Sequence, residues 1–153
     1  MQGVTNELLK CVSSFRDKDG RLLVCATNFI RALDPAFLRH GRFDYVIPIG
    51  PPDPTARAAI WARYVPEAVV ARVDLEALVR ATHLFTPADI EFAARKASQR
   101  ALGSAVYEPA DAASELRGPC TEDYLIAIRQ TRSTLTDAMV AEFNEDIERV
   151  SRV

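Results

Sequence analysis

Asn28, Arg39 and Arg42 are the side chains whose type and setting could do chemistry. Asn28 comes just after the apolar run Leu22-Leu23-Val24-Cys25-Ala26. The carboxyl end of a buried strand is where open α/β sheets bind ligands. An Asn amide both donates and accepts hydrogen bonds; the plainer reading is a turn-forming Asn after a strand. Arg39 and Arg42 are three apart around Gly41. A guanidinium is always charged and forks onto phosphate oxygens. The plain alternative is a solvated basic end to a short helix, favoured by the helix dipole.

These residues need elements to position them. Val4, Leu8, Leu9, Val12 and Phe15 recur at helical spacing and predict a helix over residues 3–15. Arg16 to Gly20 reads as a polar turn. The unbroken run Leu22 to Ala26 suits a strand covered on both faces. A helix feeding such a strand is the αβ half of a doubly wound unit. Asp34 and Pro35 open a short helix as cap and first residue, and Gly41 ends it. Tyr45 to Ile49 is a second strand candidate, with Pro48 placing it at an edge.

Gly50-Pro51-Pro52-Asp53-Pro54 is the strongest breaker in the chain. Helices follow it. Asp53 and Pro54 start the first, with an apolar face of Ala56, Ala59, Ile60 and Tyr64. Leu75, Leu78 and Val79 mark the second. Thr86-Pro87-Ala88-Asp89 starts the third, whose face is Ile90, Ala93, Ala94, Ala97 and Ala101. Residues 103–119 read as a loop. Thr121-Glu122-Asp123 opens a fourth helix carrying Tyr124, Leu125 and Ile128; Val140, Phe143, Ile147 and Val150 mark a fifth. The fold class expected is an α/β remnant of about two parallel strands followed by an all-α helical bundle.

The blocks Ala26-Thr27-Asn28 and Leu33-Asp34-Pro35-Ala36-Phe37-Leu38-Arg39-His40-Gly41-Arg42-Phe43-Asp44 resemble the AAA+ ATPases. The likeness is to the branch of cell-division-cycle-type unfoldases, proteasomal ATPases and membrane-bound AAA proteases. The family continues with P-x-x-x-x-R, and Pro51 to Arg57 and Thr82 to Ala94 also fall in step. The resemblance implies that residues 1–50 are the last part of the α/β ATPase core, 51–132 a helical lid and 133–153 a C-terminal helix. It implies that Asn28 is sensor 1, orienting the attacking water, and that Arg39 and Arg42 are arginine fingers reaching a neighbour's nucleotide. Ile60, Tyr64 and Ala88 fall where relatives contact the adenine and sugar; ordinary bundle core is the plain reading for Ile60 and Tyr64. Two positions depart from the pattern. His40 stands where the family often has Pro, and Pro87 replaces a Gly, removing a backbone N–H.

The six glycines, at 3, 20, 41, 50, 103 and 118, never precede a lysine, so no Gly-x-x-x-x-Gly-Lys-[Ser/Thr] loop occurs. No apolar run ends in Asp-Glu either. The expectation is the C-terminal portion of a module, inactive alone. ATP and Mg²⁺ would be bound tightly only by the complete module. Its partners would be neighbouring subunits of a homo-oligomeric ring, expected to be a hexamer, and a protein substrate that it remodels or unfolds. The alternative is a non-catalytic helical module that packs on such a ring or on another protein.

Composition limits the other classes. The 153 residues carry 48% hydrophobic and 26% charged residues, ordinary globular values, with a net charge of −2. That balance excludes a strong nucleic-acid footprint on the whole chain, though not a local basic patch. No 18-residue apolar run or basic-then-apolar leader is present, so no membrane segment and no signal peptide are expected. Cys11, Cys25 and Cys120 are odd in number and contain no CxxC pair, which speaks against a disulfide framework or a metal site. A cytoplasmic location is expected.

Overall fold

The computed structural model describes residues 2–16, 20–107 and 118–151, and the chain divides into two compact units. The first comprises Met1–Ile49 and Ala141–Val153, the second Gly50–Val140.

In the first unit, α1 (Gln2–Arg16) buries Leu9 and Val12, while Val4 and Leu8 stay exposed. Phe37 is the third buried side chain, and its ring tilts against Phe43 at 6.3 Å between centroids. Asp34 accepts from the Ala36 amide at 2.8 Å and Pro35 stands at the first position, so the chain enters a tight 3-10 turn, Pro35–Leu38. Gly41 then turns the chain back at φ 88°, a conformation that costs a glycine little, and its amide donates to Asp44 Oδ1 at 2.7 Å.

The expected strands do not form among the described residues. Leu22 to Ala26 is extended but unladdered, with Leu22 and Val24 exposed, and Val46 makes only an isolated bridge. The physical reason is pairing. A strand's amides and carbonyls need neighbouring strands, and the described residues supply none. The α/β remnant is therefore corrected to a helix and extended loops. The expected polar turn at residues 16–20 falls largely outside the described residues.

In the second unit, α2 (Pro54–Tyr64) starts as expected, with Asp53 accepting from the Ala56 amide at 2.7 Å. Its buried face differs from the one expected. Trp61 is fully buried and Arg57 is buried beside it, Ile60 and Tyr64 are half-buried, and Ala59 is exposed. Arg57 is tolerated inside because its guanidinium donates to the carbonyls of Pro52 at 2.8 Å and Val79 at 3.4 Å. A 3-10 turn over Glu67–Arg72 buries Val69 and leads to α3 (Leu75–Ala81), capped by Asp74. Next comes α4 (Pro87–Tyr107), which buries Ile90, Ala93, Ala94, Ala97 and Ala101, the face expected. It runs through Gly103 to Tyr107, where a loop was expected; residues 108–117 of that expected loop lie outside the described residues. After it, α5 (Thr121–Arg129) is opened by Cys120, whose amide donates to Asp123 Oδ2 at 3.0 Å. The four helices pack as α4 on α5 and α2, and α3 on α2 and α5. The last helix, α6 (Asp137–Val150), buries no residue and counts with the first unit from Ala141 onward.

Tyr124 fills the centre of the second unit, its ring edge-on to Trp61 at 5.7 Å. Its hydroxyl is buried and has no hydrogen-bond partner among the described residues. Burial, aided by the Asp123 charge, pushes its pKa up to about 12. Phe at this position keeps the ring contact and removes the unsatisfied group. Tyr124→Phe is expected to raise the stability of this unit by roughly 1 to 2 kcal/mol in urea unfolding, because such a group costs about that much to bury. A loss of stability of that size would show that the hydroxyl is bonded.

Candidate functional site

The Asn28 segment is built from short local bonds. The Phe29 amide donates to Thr27 Oγ1 at 3.1 Å, which holds the chain in a bend at Asn28. A single 3-10 turn, Ile30–Ala32, follows directly, closed by the Ala32 amide on Phe29 O at 3.1 Å. Asn28 itself is exposed. Arg31, in the middle of that turn, faces three carboxylates of α6. Its Nε lies 2.7 Å from Asp146, Nη1 2.9 Å from Glu142 and Nη2 3.2 Å from Glu145. Nη2 also donates to the Glu142 carbonyl at 3.2 Å. The hydrogen bond to Asp146 leads the causes that raise the Arg31 pKa further above its ordinary value.

The two other arginines differ. Arg39 closes the Pro35–Leu38 turn and its side chain is exposed. Arg42 is half-buried, and its Nη1 donates to the Ala36 carbonyl. Arg42 also borders an open groove of about 710 Å³ along α1, with Asn6, Glu7, Lys10 and Ser14. Asn28, Arg39 and Arg42 lie in one unit, and no hydrogen bond joins any two of them among the described residues.

Ile60, Tyr64 and Ala88 belong to the second unit. Ile60 and Tyr64 pack against its core, and the Tyr64 hydroxyl donates to Glu91 Oε2 at 3.2 Å, tying α2 to the first turn of α4. Ala88 is exposed on that same turn. The residue beside it, Asp89, organises the whole segment. Its Oδ2 accepts from the Thr86 amide and hydroxyl at 2.9 Å each and from the Thr134 amide at 3.2 Å, and its Oδ1 from the Thr134 hydroxyl at 2.6 Å. Burial alone would push its pKa up. The bonds from Thr134 and Thr86 outweigh that and leave the carboxylate below its ordinary value. Ser133 adds a bond to the Leu84 carbonyl at 2.7 Å, so residues 133–134 are stitched to the loop that starts α4.

Sequence reasoning found the Thr86–Asp89 cap and placed Arg57 in a motif without its burial, but missed Thr134 and Arg31. The acids at 142, 145 and 146 do form a visible stripe on α6, though nothing local pairs it with residue 31. Among the described residues no group of three or more His, Cys, Asp or Glu is placed to hold a metal ion. No helix among them is long and apolar enough to cross a membrane.

Comparison with known proteins defines the class. Residues 1–51 match the ATPase family associated with various cellular activities (AAA). The chain is 44% identical over 87 residues to the ATP-dependent zinc metalloprotease FtsH of Aquifex aeolicus, covering 56% of this chain and 14% of that protein. It is 38% identical over 96 residues to the ATP-dependent zinc metalloprotease YME1L of Drosophila melanogaster, covering 63% of this chain and 13% of that one. Among solved structures, the FIGL-1 AAA domain superposes with a TM-score of 0.75 at 26% identity, covering 96% of this chain and 50% of that chain. The same domain in complex with ADP superposes with a TM-score of 0.65 at 25% identity, over 84% of this chain and 44% of that chain. These matches liken the chain to a portion of an AAA+ ATPase module. It spans about one seventh of the curated relatives' length and about half of the FIGL-1 AAA domain.

Proposed function

We propose that this chain supplies sensor 1, the arginine fingers and the lid of a ring-forming ATPase that uses ATP hydrolysis to remodel or unfold a protein. Asn28 orients the attacking water through its amide. Arg39 and Arg42 approach the γ-phosphate held by the neighbouring subunit and offset charge as it develops in transfer. Ile60, Tyr64 and Ala88 contact the base and sugar. When bound in the complete module, magnesium would offset phosphate charge; the phosphate-loop and Asp-Glu motifs whose residues would hold it do not occur in this sequence.

The observation that supports this reading best is the Leu33 to Asp44 block. Its cap at Asp34, its tight turn and its glycine at positive φ bring two arginines onto one short loop, with Arg39 exposed. The chain alone is expected not to hydrolyse ATP, because no phosphate loop is in its sequence. Joined to the phosphate-loop half of a related module, it should do so. Phosphate release by the 153-residue chain above background, lost on Asn28→Ala, would overturn the first expectation. Failure of the joined module to hydrolyse ATP would favour the non-catalytic interaction module.

A further inference from the structure

We propose that Arg31 is a positioning residue for Asn28, clamped by α6 so that the C-terminal helix sets the geometry of the sensor segment; this rests on the reading of Asn28 as sensor 1. Residues 27–32 form a continuous set of short bonds, from Thr27 Oγ1 to the Ile30–Ala32 turn. Those bonds fix the segment's internal shape and leave open where it sits. Phe29 is exposed and no residue of the turn is buried, so packing does not hold it either. Among the described residues, every side-chain bond from this segment to an element distant in sequence comes from Arg31, and all of them go to α6.

The geometry of that clamp is specific. One guanidinium uses all three nitrogens, on Glu142, Glu145 and Asp146. The acids are spaced three and one apart, so they share one face of α6. Asp146 is the most enclosed of them, at 16% side-chain exposure, and Arg149 approaches it at 3.6 Å. A lone exposed ion pair contributes little, whereas a fork held by several carboxylates orients as well as attracts. A lysine, a single point charge on a flexible stem, could not hold three partners in this way. Asn28 is three residues from the clamp, so a shift of the turn carries the sensor amide with it.

Two readouts test this. In the chain itself, amide exchange at Ala32 and Leu33 should speed up roughly three- to five-fold in Arg31→Ala and in Asp146→Asn, and the double variant should be no faster than the singles. In the chain joined to a phosphate-loop half, Arg31→Ala should lower kcat on the order of ten-fold with KM unchanged, since misplacing a catalytic group by about 1 Å costs up to about 10²-fold. The exchange of charges in Arg31→Asp with Asp146→Arg should recover part of that loss, which a folding defect would not allow. If Asn28→Ala lowers kcat but Arg31→Ala does not, the clamp proposal is wrong and the sensor reading stands. If Asn28→Ala leaves kcat unchanged, the sensor reading fails and the proposal with it. Additive effects of the two single variants would also overturn it, because Arg31 would then not act through Asp146.

Discussion

Arg39→Ala or Arg42→Ala in a complete ring should slow ATP hydrolysis by on the order of 10³-fold or more while leaving nucleotide affinity nearly unchanged. A finger acts on charge that develops only as the phosphoryl group moves, so its loss falls on kcat and not on binding. The structure separates the two arginines. Arg39 is exposed and makes no side-chain bond among the described residues, so its removal should leave the fold intact. Arg42 spends Nη1 on the Ala36 carbonyl, and Arg42→Ala should also cost the first unit about 1 kcal/mol. Rings of mixed subunits decide whether the action is in trans. A subunit carrying Arg39→Ala should still hydrolyse ATP in its own site when its neighbour supplies an intact finger. A defect confined to the mutated subunit's own site would sink the reading in trans. If Arg42→Ala lowers stability without lowering the rate, Arg42 serves the loop and Arg39 alone serves catalysis.

What was legible in the sequence was what depends on neighbours a few residues away. The starts of α2 and α4 follow from Asp53-Pro54 and from Thr86-Pro87 with Asp89, because a cap is satisfied within one turn. The small-residue face of α4 is buried as its periodicity predicts. The face of α2 was misread because an arginine, a residue rarely buried, sits beside the buried Trp61; the carbonyls that allow it belong to Pro52 and to Val79, which is 22 positions away. The strand expectation failed on the same ground. An apolar run states a preference, but a ladder needs a partner, and none lies among the described residues. In the candidate site, the motif is what singles out Asn28, Arg39 and Arg42 as candidates. Long-range bonds were invisible, Arg31 to α6 at a separation of 115 residues in the first unit and, in the second, Thr134 to Asp89 at 45.

The second of those hidden bonds should matter most to stability. Asp89→Ala is expected to cost the second unit about 2 kcal/mol, for charge-assisted bonds left without an acceptor. One carboxylate gathers four donors from Thr86 and Thr134, and it is 8% exposed. Its removal takes away the carboxylate half of the capping box at the start of the 21-residue α4 and frees Thr134 in the same step, while Thr86 Oγ1 still accepts from the amide of residue 89. Asp89→Asn separates charge from shape. The amide keeps an acceptor oxygen for Thr134 but loses the negative charge at the helix start, so about half of the deficit is expected. The dependence on pH then follows from the sign of the shift. The folded pKa lies below the ordinary value of 3.8, so the carboxylate contributes its full stabilisation above that value and loses it as pH falls through the folded pKa. The wild-type advantage over Asp89→Asn should therefore be largest near neutrality and shrink at about pH 3. Trp61, the single tryptophan and fully buried in this unit, reports the unfolding by fluorescence. Urea midpoints at the two pH values give the comparison. A deficit of the same size at both would mean that the charge of Asp89 is not what holds α4 and Thr134 together.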